Sequence, residues 1–214
     1  MEDAALVTSP PERGPRRSRM RIVRELLSLV GFALALLAAR SSLADHYYVP
    51  SGSMIPTVWT GDRVVVNKLA YGLRVPFSDV TAARFAGPNR GDVVVLRSPE
   101  DGITLLKRVV AVPGDEVAVL QGRLTINGVS VPVVDGGADA IEQLGTAVHP
   151  VRLTHGGGAD FGPTVVGADR YLVLGDNRGD SRDGRVFGLV ERGAIMGRAL
   201  SVWMRDGHLC WHKL

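Results

Sequence analysis

Ser53 and Lys107 are the two residues whose types and settings could do chemistry together. Ser53 stands in Pro50-Ser51-Gly52-Ser53-Met54, and Lys107 breaks an otherwise apolar run, ITLLKRVVAV, from Ile103 to Val112. A serine hydroxyl is a weak nucleophile until a neighbouring base takes its proton. A lysine amine can be that base once burial drives its pKa down, because an apolar surround disfavours the ammonium form. On a strand, Leu105, Lys107 and Val109 share one face while Leu106, Arg108 and Val110 share the other. Lys107 therefore points with apolar neighbours, the setting a neutral amine requires. Attack on an acyl carbonyl is the chemistry open to such a pair.

Elements on either side must place these groups. Upstream of Ser53 lies LLSLVGFALALLAA, Leu26 to Ala39, with Arg24 and Glu25 before it and Arg40 after it. Taken from 22 to 44 the stretch reaches the length of about 20 residues needed to cross a bilayer, with Arg40 reaching for the interface. Arg13, Arg16, Arg17, Arg19, Arg21 and Arg24 precede it. Positive flanks stay inside, so residues 1–21 are expected as a basic cytoplasmic tail and 45–214 as a domain outside. The rival is a leader cleaved after Ser42-Leu43-Ala44. Arg40 between the apolar run and that cut, and the closeness of Ser53, favour a retained anchor.

A chain of 214 residues can bury a substantial core. Its formal charge of +3 gathers in the first residues, with no later basic stripe, which argues against a nucleic-acid partner. Cys210 is the sole cysteine, so no intrachain disulfide can form. Strand signals run through Arg63–Leu69, Val93–Leu96, Ile103–Val112, Glu116–Leu120, Tyr171–Leu174, Val186–Val190 and Ala199–Met204. Asn127-Gly128 predicts a hairpin turn between Leu124 and Val131. Beyond the apolar segment no helical period is evident, so a mostly β, antiparallel domain is expected. A loop-rich excursion is expected over roughly 116–168, weakest in pattern from Asp135 to Pro163, where Gly136-Gly137 and Gly156-Gly157-Gly158 fall.

In its ordered motifs the chain resembles the bacterial type I signal peptidases, membrane-anchored serine endopeptidases of peptidase family S26. The matching stretches are Pro50–Met54 with Pro56-Thr57, Gly61-Asp62 through Asn67–Gly72, Lys107-Arg108 with Pro113–Asp115, and Gly175-Asp176-Asn177-Arg178 through Ser181, Asp183 and Arg185. That resemblance implies Ser53 as nucleophile and Lys107 as general base. It further implies an oxyanion hole from the Ser53 N–H and the Ser51 hydroxyl, where donors meet developing charge. Ser181 matches the position whose hydroxyl orients the amine, and Arg108, Asp176, Asp183 and Arg185 match structural supports. Tyr47, Val49, Met54, Val58, Leu105 and Leu106 would line pockets for small side chains, hence cleavage of an Ala-x-Ala type. Preproteins with signal peptides and the lipid bilayer are the implied partners, and the bacterial inner membrane, crossed once, the implied location. The implied enzyme is a monomer that needs neither cofactor nor metal.

Three departures stand out. Only one apolar span is present where some relatives have two, the region after the lysine has no cysteine, and Gly179-Asp180 replaces the commoner Asp-Asn before the serine. A conjugation- or pilus-type leader peptidase on the same scaffold, and an inactive tethered β binding domain, are the alternatives. His208, Cys210 and His212 lack a fourth partner for a metal, and the glycines at 156–158 lack the Lys-Ser/Thr of a phosphate loop.

Overall fold

The structure, a computed structural model, describes residues 20–33, 44–74, 81–137 and 139–214. It divides into two units, residues 1–39 and 40–214. In the first, residues 20–33 form helix α1, whose side chains are exposed on every side. Most of the remainder of the expected span, residues 34–43, lies outside the described residues. Among the described residues no helix is long and apolar enough to cross a membrane.

The second unit is built almost wholly of strands. In chain order they are β1 (Ala44–Tyr48), β2 (Arg63–Asn67), β3 (Gly72–Arg74), β4 (Thr81–Arg84), β5 (Val93–Arg97), β6 (Thr104–Ala111), β7 (Glu116–Leu120), β8 (Arg123–Ile126) and β9 (Val129–Ser130). There follow β10 (Val133–Gly136), β11 (Asp139–Leu144), β12 (Ala147–Val151), β13 (Phe161–Val165), β14 (Arg170–Leu174), β15 (Val190–Glu191), β16 (Ile195–Arg205) and β17 (His208–Lys213). The main sheet has the order β1-β2-β16-β5-β6-β14-β15, with β17 added alongside β16. Its pairings are antiparallel throughout. Smaller sheets are β13-β7-β8-β9, β10-β11-β12 and β3-β4.

Sequence accounts for the central strands directly. β5, VVVLR, is buried at four successive positions because both faces of the main sheet are covered there. β2, RVVVN, alternates, with Val64 and Val66 wholly buried. Val49, Met54, Val58, Val64, Val66, Val93, Val95, Ala199 and Val202 form one core cluster. Burying each valine or methionine stabilises by roughly 1.5–3 kcal/mol. Register fixes the site's neighbourhood, setting Lys107 opposite Val94 and Leu106 opposite Val95. The Asn127-Gly128 turn forms as expected, with φ of 53° and 76°, between β8 and β9.

Two expectations need correction. Asp135–Pro163, expected as irregular and loop-rich, contains β11, β12, half of β10 and most of β13. β11 does alternate, burying Ala140, Glu142 and Leu144, but a glutamate at the middle inward position hides the apolar period. Val186–Val190, expected as a strand, begins instead inside the single turn α2 (Gly184–Phe187). The Asp183 side chain caps that turn by accepting from the Arg185 N–H, and Gly188, at φ 82°, ends it.

Candidate active site

Ser53 sits on a turn between β1 and β2 that is fastened at its base and its crown. The Val49 N–H donates to Asp62 O at 2.9 Å and the Gly61 N–H to Val49 O at 2.8 Å. The buried Asp62 carboxylate accepts from the Trp59 N–H and from both arms of Arg205. Met54 and Val58 pin the turn into the core. On the far side the Asn177 N–H donates to Ser53 O at 3.1 Å and its side-chain amide to Gly52 O at 3.2 Å. A turn held on both sides presents its hydroxyl in one direction.

Lys107 reaches that hydroxyl from the middle of β6. Its Nζ lies 2.6 Å from Ser53 Oγ, and its side chain is 2% exposed. Burial lowers its pKa from 10.5 to about 8; Asp183 and Asp176 oppose the fall, and Arg185 adds to it. At neutral pH roughly a tenth of such a group is the free amine. The arrangement can therefore pass a proton from hydroxyl to amine.

The other expected residues gather around this pair. Ser51 Oγ lies 3.4 Å from Ser53 Oγ and is exposed. Ser181 packs its side chain against Gly175, where a Cβ would come within 2.3 Å of Ser181 Oγ and 2.4 Å of Ser53 O. Its hydroxyl is buried and has no hydrogen-bond partner among the described residues, although it helps to lower the Asp183 pKa. Arg108, on the opposite face of β6 from Lys107, forks onto Asp176 at 2.8 and 2.7 Å. Burial raises the Asp176 carboxyl, but the Arg108 charge and hydrogen bonds more than reverse this. Asp183 is lowered likewise, its burial outweighed by Arg185, which forks onto it at 2.8 Å with both arms.

A cleft of about 370 Å³ opens beside the pair. Tyr47, Val49, Met54, Leu105 and Leu106 line it together with Ser51, Ser53 and Lys107. Val58, expected with them, is fully buried in the core instead and is not part of the lining. The walls of the cleft are mostly aliphatic. Among the described residues no three His, Cys, Asp or Glu side chains converge to hold a metal ion.

Four residues at the site were given no role by the sequence. Thr57 donates to Asp176 Oδ2 at 2.6 Å, and Asn177 clamps the serine turn. Glu142 and His149, from β11 and β12, are buried beneath the Gly175–Arg178 segment. The only signal for the last two was their place at inward positions of alternating strands, which their polarity disguised.

A family model described as signal peptidase, peptidase S26, matches residues 20–204. Signal peptidase I of Pseudomonas fluorescens is 38% identical over 192 residues, covering 79% of this chain and 68% of its own. Its counterpart in Pseudomonas aeruginosa is 36% identical with the same coverage. A crystal structure of a signal peptidase I from Enterococcus faecalis, 27% identical, matches 53% of this chain and 97% of its own with a TM-score of 0.37. The family match and the two Pseudomonas relatives extend over most of the sequence: the chain belongs to the signal peptidase family, peptidase S26, and is a serine peptidase.

Proposed function

We propose that this chain is a membrane-anchored endopeptidase that removes N-terminal signal peptides from exported preproteins, with Ser53 as nucleophile and Lys107 as general base. One observation carries the reading. The Lys107 amine is withdrawn from water, its pKa is pulled to about 8, and it lies 2.6 Å from Ser53 Oγ.

The steps follow from those positions. Neutral Nζ accepts the Ser53 proton as Oγ attacks the carbonyl preceding the scissile bond. The Ser53 N–H and the Ser51 hydroxyl receive the oxyanion. The ammonium returns the proton to the departing amine of the mature protein, leaving an acyl ester on Ser53. Lys107 then takes a proton from water as the water attacks the ester, and the ammonium gives that proton to Ser53 Oγ as the signal peptide leaves with a free carboxyl group. The Ser181 hydroxyl, which makes no bond to the amine in this structure, is assigned to orient it on the family resemblance, and the Arg108–Asp176 and Arg185–Asp183 pairs brace the loop around it. No metal or cofactor is needed at any step.

Substrate enters as an extended strand laid along the cleft, between the backbone of Tyr47–Pro50 and that of Ile103–Leu106. The aliphatic walls favour alanine at the first and third residues before the cut. Leu26, Leu27, Leu29, Val30 and Phe32 are exposed all around α1, a pattern that suits lipid. A single span over 22–44, basic tail in the cytoplasm and domain outside, sets a monomeric enzyme on the bacterial inner membrane. In detergent micelles, Ser53→Ala and Lys107→Ala each remove cleavage of a model preprotein while the urea unfolding transition persists. Processing retained by either variant rejects the assignment.

A further inference from the structure

Behind the serine turn lie buried polar side chains, of which Arg178, Glu142 and His149 have no part in the proposed reaction. Arg178, wholly buried, donates to Glu142 Oε2 at 2.9 Å and Oε1 at 2.6 Å, to Gly122 O at 2.6 Å and to Gly175 O at 3.2 Å. Burial raises the Glu142 carboxyl, yet Arg178 holds it at about 2, so it stays charged. His149, 5% exposed, places Nε2 3.2 Å from Glu142 Oε1 and 4.0 Å from Asp176 Oδ1. Asp176 is itself forked by Arg108 and bonded by Thr57. Arg178–Glu142 and Arg108–Asp176 are thus two forked pairs, and the His149 ring is packed between their carboxylates, its nitrogens making no hydrogen bond among the described residues. Glu142 and His149 come from the β11–β12 hairpin, and Asp176 and Arg178 from the segment that follows β14.

Between Asp176 and Arg178 stands Asn177, which holds the serine turn by Gly52 O and Ser53 O. The backbone of that segment is tied to the hairpin's end as well, the Arg152 N–H donating to Asp176 O at 2.8 Å. Gly158 permits the close approach: a Cβ there would lie 2.4 Å from Arg178 O. Buried ion pairs are a poor source of net stability, since desolvation offsets most of the attraction. What forked pairs do supply is direction. We propose that Glu142 and His149 are positioning residues for the Ser53–Lys107 pair, holding Asp176 and Arg178 so that Asn177 fixes the nucleophile's turn. The inference rests on the Ser53–Lys107 reading above. It gives the middle excursion a part in the chemistry: the hairpin is the back wall against which the nucleophile is set.

The test uses the full chain in detergent micelles with a model preprotein. His149→Leu fills much of the same space, keeps the Arg178–Glu142 fork and removes the polar ring that lies between Glu142 and Asp176. It should lower kcat about ten-fold or more with KM within two-fold, because a small displacement of reacting atoms costs rate more than binding. His149→Gln, which retains a nitrogen near the Nε2 position, should restore kcat to within about three-fold. Glu142→Gln should repeat the loss of kcat. Asn177→Ala should lower kcat with the same split, and combining it with His149→Leu should cost little more than Asn177→Ala alone, since both act through one link. A folded His149→Leu with unchanged kcat overturns the proposal, as do losses that simply multiply in the double variant. Where Glu142→Gln fails to fold, the His149 series decides. Cleavage surviving in Ser53→Ala would instead reject the underlying dyad, a result independent of every His149 variant.

Discussion

Lys107 and Glu142 are both withdrawn from water, at 2% and 0% exposure, and burial penalises the charge of each. Their pKa values are both lowered, which favours the charged form of one and the neutral form of the other. Glu142 meets a guanidinium fork and stays ionised, its pKa held at about 2. Lys107 meets a hydroxyl, and Asp183 and Asp176 act on it only as more distant charges, so desolvation prevails and its pKa falls to about 8. The cleft side of the Gly175–Arg185 loop thus keeps a base by leaving it without a carboxylate in contact. The inner side keeps its charges by pairing each one. One protein runs both rules: burial fixes the cost, and the partner decides which form is favoured.

The comparison breaks most severely at the amine. Lys107→Arg leaves a group that cannot lose its proton, so preprotein cleavage falls on the order of a thousand-fold or more in an initial-rate assay. Lys107→Met is equally inactive but more stable. A lysine that folds with its pKa lowered from 10.5 to about 8 opposes folding wherever it must enter charged. That penalty is full below pH 8, fades as pH rises, and is absent above about 10.5. Removing it should raise unfolding stability at pH 7 by about 3 kcal/mol, read from urea unfolding.

The paired side responds the other way. Asp176→Asn leaves the Arg108 guanidinium buried without its countercharge and costs about 3–5 kcal/mol of stability. The folded-state pKa of Asp176 lies below its unfolded value, so its contribution is complete above about pH 4 and is lost on acidification through the folded pKa. Wild-type stability should therefore fall in acid more steeply than that of Asp176→Asn. At the weak end stands the bidentate Arg182–Glu100 pair, whose arginine is 68% exposed. Arg182→Ala should leave the unfolding midpoint and kcat unchanged, because solvent screens such pairs.

The two sides also differed in how far the sequence disclosed them. Ser53, Lys107 and the cleft walls were legible because strand alternation sets Lys107 among aliphatic neighbours and the motifs fall in order. Leu105 and Leu106 both reach the cleft, but Val58 does not, since one turn past Ser53 its side chain drops into the core. The inner side was legible only in part. Arg108 and Asp176 were expected as supports, but Glu142 and His149 were hidden. An inward glutamate breaks the apolar alternation that marks a strand, and its partner Arg178 lies 36 positions away. Periodicity reports where water is excluded. It cannot report a buried charge whose partner is supplied by tertiary contact. α2 was missed for a related reason, as a four-residue turn set by the Asp183 cap is too short to show a period.

The proposed chemistry depends on a Lys107 amine that loses its proton near pH 8, so that about a tenth of it is free base at neutral pH. Lys68 and Lys213 are the only other lysines, so a chain labelled at the lysine ε-carbon gives three resonances to follow by NMR titration. One of them, lost in Lys107→Met, should titrate with a midpoint near pH 8. A Lys107 resonance that titrates near its ordinary value of 10.5 would contradict the account.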